Sequence, residues 1–501
     1  MIADAKDGSM KKRTRQAERG IAVIVTSIML VILIPVIGLA IDVTLLYVDK
    51  ARLQGAVDGA ALAGAEGLSR GTNDAAQKTA AAQAAAQYVF LNYPTSFFFT
   101  NSVTVNQATD ITIDETVANQ RTVSVTAHAN VPTLFMRWLN FTSTNVIASA
   151  TVTRRDVNVV LVMDRSGSLQ ASGSCAAVQQ AAINFVNKFA NGSDNVGLVT
   201  FASSTNADFP IANDFQTATV NVPTIINQIT CAGSTSSPMA LWTAYDQLVG
   251  LAEPAALNVI LFFTDGTPTG VNVNMPIATS SSCEFPNPAT ASIPYKYLNG
   301  LYNTYTGGDT FFGLLKPTGN GTVPPDDTNT TFTTDGQGGK KCAFLSSETN
   351  YSDFIGVPEV DVFGDNLASG YQPTGPYVTC GTQQCLSIGS GSNQNASSMA
   401  QNGTDQAAIS IRGGATEPAS ASAYLNNIGK SLSGVIIYSI GLGNATTGTL
   451  NQDLLNRVSN TTASGIYNSS EATGAFILAP TSADINAAFA TIAAEILRIA
   501  K

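Results

Sequence analysis

The sequence predicts an α/β protein, a doubly wound sheet with a large insertion, preceded by a transmembrane helix and a small α+β module. Three observations lead there. Ile21–Ile41 is an uncharged apolar run of about 21 residues, enough to cross a hydrocarbon core of roughly 30 Å at about 1.5 Å per residue. Between Ser102 and Val152 the apolar residues recur with period two, rich in Val and Thr, as in half-buried strands. From Asp156 onward, short continuous apolar runs alternate with helical patterns, the mark of buried parallel strands joined by helical crossovers.

The elements follow in order. Residues 1–20 form a basic tail in which Lys6, Lys11, Lys12, Arg13, Arg15 and Arg19 outnumber Asp4, Asp7 and Glu18, so the positive-inside rule places the N-terminus in the cytoplasm. Residues 21–41 are the transmembrane helix; Pro35 inside it is tolerated in a membrane. The run is too long for a signal-peptide core and no A-x-A follows it, so a retained anchor is expected. Residues 42–152 read as a helical stalk to Leu68, a second helix over Asp74–Phe90, and a small sheet. In residues 156–501, VNVVLVMD from Val157 and LNVILFF from Leu257 are buried strands, and GVIIYSI from Gly434 is another. Helices are expected over Ala176–Phe189, Pro238–Leu251, Ala419–Leu432 and Asp484–Ala500, the last opened by a capping box of Thr481 and Asp484. From about 271 to 406 the alternation stops, and this stretch reads as a loop-rich insertion.

Composition excludes several functions. The chain has 501 residues with 25 Lys and Arg against 35 Asp and Glu, a net charge of −10, so no nucleic-acid footprint is expected. A single histidine, His128, leaves no His-based triad or multi-His metal site, and no enzymatic activity is expected. All six cysteines, Cys175, Cys231, Cys283, Cys342, Cys380 and Cys385, lie beyond the anchor without a C-x-x-C pair, which reads as disulfides on the non-cytoplasmic side. Cys175 opens the helix after one strand-end loop and Cys231 stands just before Thr235. Both fall at one sheet edge, so they are expected to pair, leaving Cys380–Cys385 and Cys283–Cys342.

Three fragments carry chemistry. Asp164, Ser166 and Ser168 follow the first buried strand, Thr235 stands at the mouth of a helix, and Asp265 follows LNVILFF. All lie where open α/β sheets bind ligands, at the carboxyl ends of strands. Two carboxylates and three hydroxyls suit a hard divalent cation, Mg²⁺ or Mn²⁺.

These fragments resemble the von Willebrand factor A family, a Rossmann-like doubly wound fold. D-x-S-x-S matches Asp164, Ser166 and Ser168, and G-x-T-x-x-x-x-A-L matches Gly233, Thr235, Ala240 and Leu241. The resemblance covers about 156–270 and 419–501 and implies a metal-ion-dependent adhesion site of Asp164, Ser166, Ser168, Thr235 and Asp265, where a partner's carboxylate completes the metal shell. The N-terminal part is similar to TadE/TadG-type proteins of tight-adherence (Flp) pilus assembly, through Arg19-Gly20, Asp42, Leu53-Gln54, Asp58 and the run Ala60–Ala65. Together the two imply a TadG-type inner-membrane protein with its bulk in the periplasm and with pilus-assembly or other envelope proteins as partners. An exposed adhesin that binds matrix or host protein, or a pilin-like fibre subunit, are the alternatives. Val25 stands where processed pilins carry Glu, counting from Gly20, which weighs against cleavage and polymerisation.

Other signals read as ordinary structure. G-x-S-x-G at Gly67–Gly71 is expected to be a helix end, His128 a strand residue, Asp58 a solvated helix position, and Glu359, Asp361 and Asp365 a solvated loop.

Overall fold

The computed structural model describes residues 8–94, 97, 100–202, 205–233, 235–276, 297–303, 311–314, 357–375, 377–380, 383–386, 395–422, 424–443 and 450–500. They divide into two compact units. The first comprises residues 1–68, 77–116 and 121–153, and the second 69–76, 117–120 and 154–501.

In the first unit, helix α1 (Gly8–Gly67) continues unbroken through Pro35 from the apolar run into the stalk. It is the one helix among the described residues long and apolar enough to cross a membrane. Its apolar half is exposed except at Gly38, whereas Leu53, Val57, Ala60, Ala61 and Ala65 are fully buried. Alanine on this face lets helix α2 (Asp74–Asn92) approach closely through Ala81 and Ala85. Both pack on an antiparallel sheet of β1 (Ser102–Thr104), β2 (Ile111–Asp114), β3 (Gln120–Pro132) and β4 (Ser143–Arg155). Strand β3 alternates strictly between buried and half-buried residues, so Val123, Val125, Ala127 and Ala129 face the helices. His128 lies on the other face, and Asp58 is solvated. Two of the family-like residues bind the sheet and the loop after β3. Gln54 Nε2 donates to the Ser149 carbonyl at 3.0 Å, and Asp42 receives three backbone N–H groups beyond β3.

The second unit is built on β5 (Val157–Asp164), followed by the short helix α3 (Gly167–Ala171), α4 (Cys175–Val186), β6 (Asn195–Phe201), β7 (Thr205–Ala212), α5 (Val222–Gln228), α6 (Ser237–Leu251) and β8 (Leu257–Thr264). In the expected insertion, or overlapping its ends, lie β9 (Gly270–Pro276), β10 (Tyr297–Asn303), β11 (Phe311–Leu314), β12 (Val357–Pro358), β13 (Tyr377–Cys380), β14 (Gln383–Leu386) and α7 (Asn395–Arg412). The chain returns through β15 (Ile436–Leu442), α8 (Gln452–Val458), β16 (Phe476–Ala479) and α9 (Ile485–Ile499). The main sheet has the order β16-β15-β8-β5-β6-β7, parallel except for the edge strand β7. Every residue of β5 is buried because both faces are covered. Val157, Val159, Leu161 and Met163 point into a core with α4, α5 and α9, and Val160 and Val162 into a second with α6, α7 and α8.

Three expectations are corrected. Among the described residues of 419–432 no α-helix forms, only a 3₁₀ turn at Ala419–Ala421, and the N–H groups of Asn426 and Asn427 turn to the Asp246 carboxylate at 2.8 and 2.9 Å. The packed helix on that face is instead α7, which begins inside the stretch read as insertion. Asp361 and Asp365 are buried, not solvated. Phe363 between them stacks on Trp242, with ring centroids 5.8 Å apart, and Trp242 Nε1 donates to Asp365 at 2.8 Å. The capping box before α9 forms in half: the Thr481 N–H donates to Asp484 at 3.1 Å, but its hydroxyl donates to the same carboxylate.

Candidate metal centre

The chain passes from β5 to α4 and β6 on one side, then crosses through α6 to β8 on the other side of β5. The carboxyl ends of β5 and β8 therefore diverge into a crevice, the switch point of a doubly wound sheet. Asp164 is the last residue of β5, and Asp265 immediately follows β8.

Asp164 is fully buried. Its Oδ1 accepts the Ser166 N–H at 2.7 Å and its Oδ2 the Thr264 hydroxyl at 2.7 Å. Asp265 reaches the same point from β8, with its Oδ1 accepting from Ser168 Oγ at 2.7 Å and Ser166 Oγ at 3.3 Å. The two serine hydroxyls are 2.9 Å apart. Thr235 is brought in by its backbone. Just before it, the Gly233 carbonyl accepts from the Gly167 N–H at 2.9 Å, and its own carbonyl accepts from Thr269 and Gly270 at 2.7 and 3.0 Å. A Cβ on Gly167 would lie 3.3 Å from that Gly233 carbonyl, so the two loops meet as closely as backbone allows. All five expected residues thus come from three loops at one sheet edge. Thr264, which opens the third fragment, Thr264-Asp265-Gly266, fixes Asp164, and Thr269 fixes the Thr235 backbone. Thr269 has no signal of its own in the sequence.

The electrostatics are those of two carboxylates buried close together. Arg165, next to Asp164, turns away and donates from Nε to Thr200 at 3.1 Å. Burial raises the Asp164 carboxyl above its ordinary range, although Thr264 and Ser166 act in the opposite sense. Burial, followed by the charge of Asp164, pushes Asp265 up to about 7. Two buried carboxylates ringed by hydroxyl oxygens, without nitrogen or sulfur donors, fit a hard divalent cation.

A family model for the von Willebrand factor type A domain matches residues 158–283, which include four of the five site residues in the loops after β5 and β8 and the fifth, Thr235, between them. The chain carries a von Willebrand factor type A domain. A second model, for Flp pilus-assembly TadE/G-like proteins, matches residues 20–88, so the A domain follows a TadE/G-like segment in a TadG-type arrangement. Among solved structures, the chain is similar to the pilus adhesin SpaC from Lactobacillus rhamnosus GG in its open conformation, at 11% identity and a TM-score of 0.34, over 78% of this chain and 33% of that one. It is also similar to the vWF domain of the type V pili tip protein Mfa5 from Porphyromonas gingivalis, at 15% identity and a TM-score of 0.34, over 70% and 97%. The PilB minor pilin from Streptococcus sanguinis gives 12% identity and a TM-score of 0.33, over 80% and 79%. The chain spans about a third of the length of SpaC. No curated protein sequence matches it.

In the A domain, Cys175 at the start of α4 is bonded to Cys231 ahead of Thr235, as the shared sheet edge predicts. Cys283 and Cys342 lie outside the described residues, and Cys380 and Cys385 stand on the paired strands β13 and β14. The Cys175–Cys231 bridge closes a loop with a sequence separation of 56, which in the chain-entropy account stabilises by up to about 4 kcal/mol. Replacing both cysteines by serine is expected to lower stability by about 2–4 kcal/mol and to weaken divalent-cation affinity, as read by denaturant titration and calorimetry. Unchanged affinity would show that the bridge does not hold the Thr235 loop.

Metal binding by the A domain should also release protons. With Asp265 raised to about 7, the apparent Mg²⁺ affinity is expected to fall by up to about tenfold for each pH unit below about 7, and to level off above it. A pH-independent affinity between pH 5 and 8 would contradict this.

Proposed function

We propose that this chain is a single-pass, membrane-anchored component of tight-adherence pilus assembly, with its N-terminus cytoplasmic and its bulk in the periplasm of a bacterial envelope. Its A domain would capture a partner protein through a divalent cation, Mg²⁺ or Mn²⁺, held by Asp164, Ser166, Ser168, Thr235 and Asp265. The observation that carries this is that buried Asp265 accepts from Ser166 Oγ and Ser168 Oγ at 3.3 and 2.7 Å, while buried Asp164 accepts the Ser166 N–H at 2.7 Å, at the sheet switch point. When bound, the cation would supply positive charge to the two buried carboxylates and a coordination position that a partner carboxylate can fill. The residues of the chain hold the oxygen donors at fixed spacing before the cation arrives, so little ordering is left for the binding step. The TadE/G-like segment and the exposed apolar half of α1 support the membrane anchor and the pilus setting, and the basic tail supports the orientation.

The test is co-purification of the full-length protein from native membranes with Mg²⁺ or with EDTA, for the wild type and for Ser168→Ala. Ser168 is exposed at the rim and makes neither of the Asp164 hydrogen bonds described above, so its loss leaves them intact. Pilus-assembly proteins retained with Mg²⁺, and lost with EDTA and in the variant, are the expected result. Partners retained under EDTA would remove the metal from the mechanism. Recovery of matrix or host protein in their place would favour the adhesin.

A further inference from the structure

The loop between β3 and β4 carries apolar side chains that nothing in the first unit covers. Trp138 is 85% exposed, Leu139 71% and Phe141 59%, in a one-turn 3₁₀ helix, Met136–Leu139, and the residues flanking it. Single exposed apolar residues are ordinary, but a contiguous group marks a contact surface.

Asp42 determines where this loop lies. Its carboxylate is 1% exposed and accepts the N–H groups of Leu134, Phe135 and Met136 at 2.8, 3.0 and 2.6 Å. This caps the 3₁₀ turn from the side of α1, at the first charged residue after the apolar run. The loop then descends along the run instead of turning towards the stalk. Phe135 lies against Gly38, where an added Cβ would come within 2.5 Å of the ring. Trp138 and Leu139 share an apolar groove of about 560 Å³ with Ile34, Pro35 and Leu39. At about 1.5 Å per residue, Pro35 lies roughly 10 Å below Asp42 along the helix, about a third of the way into a hydrocarbon core of roughly 30 Å. Whatever medium surrounds Ile34–Leu39 therefore surrounds the turn as well.

We propose that the Met136–Leu139 turn, with Phe135 and Phe141, is a second membrane contact that inserts into the non-cytoplasmic leaflet beside α1. The inference rests on the reading of Ile21–Ile41 as the membrane span. The occupant of the groove is lipid acyl chain, because the groove is continuous with the face of α1 that a bilayer must cover. Trp and Phe suit the boundary between hydrocarbon and headgroups. Arg137, exposed on the same turn, has the reach to extend its guanidinium to lipid phosphates while its stem stays in the apolar layer. Two contacts, one spanning and one inserted, fix the rotation of the TadE/G-like unit about the bilayer normal, which a single helix does not.

Trp138 is itself the probe, because the other tryptophan, Trp242, is buried in the second unit. Full-length wild type and Trp138→Ala are reconstituted into phosphatidylcholine vesicles with or without brominated acyl chains, and both are checked by flotation. The expected result is bromine quenching of the wild-type emission that is absent in Trp138→Ala, and stronger for bromines near the headgroup than at the chain end. Protein that floats with the vesicles but whose Trp138 emission is quenched only by aqueous acrylamide overturns the insertion and leaves the anchor standing. Emission that is shielded from both quenchers overturns it in favour of a protein contact. Protein that does not float overturns the spanning reading, and the insertion with it.

Discussion

Replacing Asp265 by Asn is expected to raise the melting temperature of the metal-free protein and to abolish its stabilisation by Mg²⁺. Both effects come from one charge. In the metal-free protein, burial and the neighbouring Asp164 push the Asp265 carboxyl from 3.8 to about 7, so the folded state holds a proton that the unfolded chain releases near pH 4. The folded state binds more protons over that interval, so stability declines as pH rises from about 4 to about 7 and stays low above it. Asn removes the charge and keeps an oxygen to accept from Ser168, so the variant should lack this decline and exceed wild type at pH 8 by on the order of 2 kcal/mol. Wild type should recover on adding cation, by about 2.7 kcal/mol at a concentration one hundred times its dissociation constant, and the variant should recover nothing. Thermal unfolding at pH 5 and pH 8, with Mg²⁺ and with EDTA, reads all of this. A variant still stabilised by Mg²⁺ would remove Asp265 from the site. Asp164 is the worse probe, because its loss leaves the Ser166 N–H and the Thr264 hydroxyl without their acceptor, mixing a folding defect into the binding result.

The centre of the fold was legible because burial on both faces leaves a plain trace. Val157–Asp164 and Leu257–Thr264 are nearly continuous apolar runs, and the site residues follow them directly. The edges left weaker traces. Strand β7 contains Asp208 and Pro210, residues that an edge strand accommodates and a central one does not. Helix α7 leaves a weak trace because polar contacts hold much of it. Asp405 receives Arg457 through two hydrogen bonds at 2.9 and 2.5 Å, and Asn402 accepts from Gln372 at 2.6 Å while donating to Leu367 at 3.0 Å. Buried Asn, Thr and Asp on a helix break the apolar periodicity by which helices are read. The Asp42 cap was visible only as a family-like residue, since its partners lie more than 90 positions away in sequence.

Asp194→Ala is expected to destabilise the second unit by about 3–5 kcal/mol, a large share of the roughly 5–15 kcal/mol that holds a typical domain together. The Asp194 side chain is fully buried and takes Arg154 Nη2 at 2.6 Å; the Arg154 side chain is itself 1% exposed. The same carboxylate accepts the N–H groups of Val157 at 3.0 Å and Ala190 at 2.7 Å. One side chain thus sets the start of the central strand β5 and the turn that leads into β6. Alanine would leave two N–H groups buried without this acceptor, and the guanidinium with Asp156, 3.5 Å from its Nη1, in place of the closer pair. Removing both charges while keeping an acceptor, as in Arg154→Met with Asp194→Asn, should cost less, because the charge then left in the cluster is the more exposed Asp156, 3.5 Å from Arg154 Nη1 in the wild type. Urea midpoints of the two variants order them, and equal midpoints would show that the pair is not the source of the loss. The effect should also separate from the metal centre. Asp194 acts at the amino end of β5, whereas Asp164 closes its carboxyl end, about 23 Å away at roughly 3.3 Å per residue. Below its melting transition, Asp194→Ala should therefore bind Mg²⁺ with wild-type affinity, whereas Asp265→Asn should fold more stably and bind none. Opposite signs on stability and binding from two aspartates in one domain distinguish a carboxylate that completes the fold from one that awaits a cation.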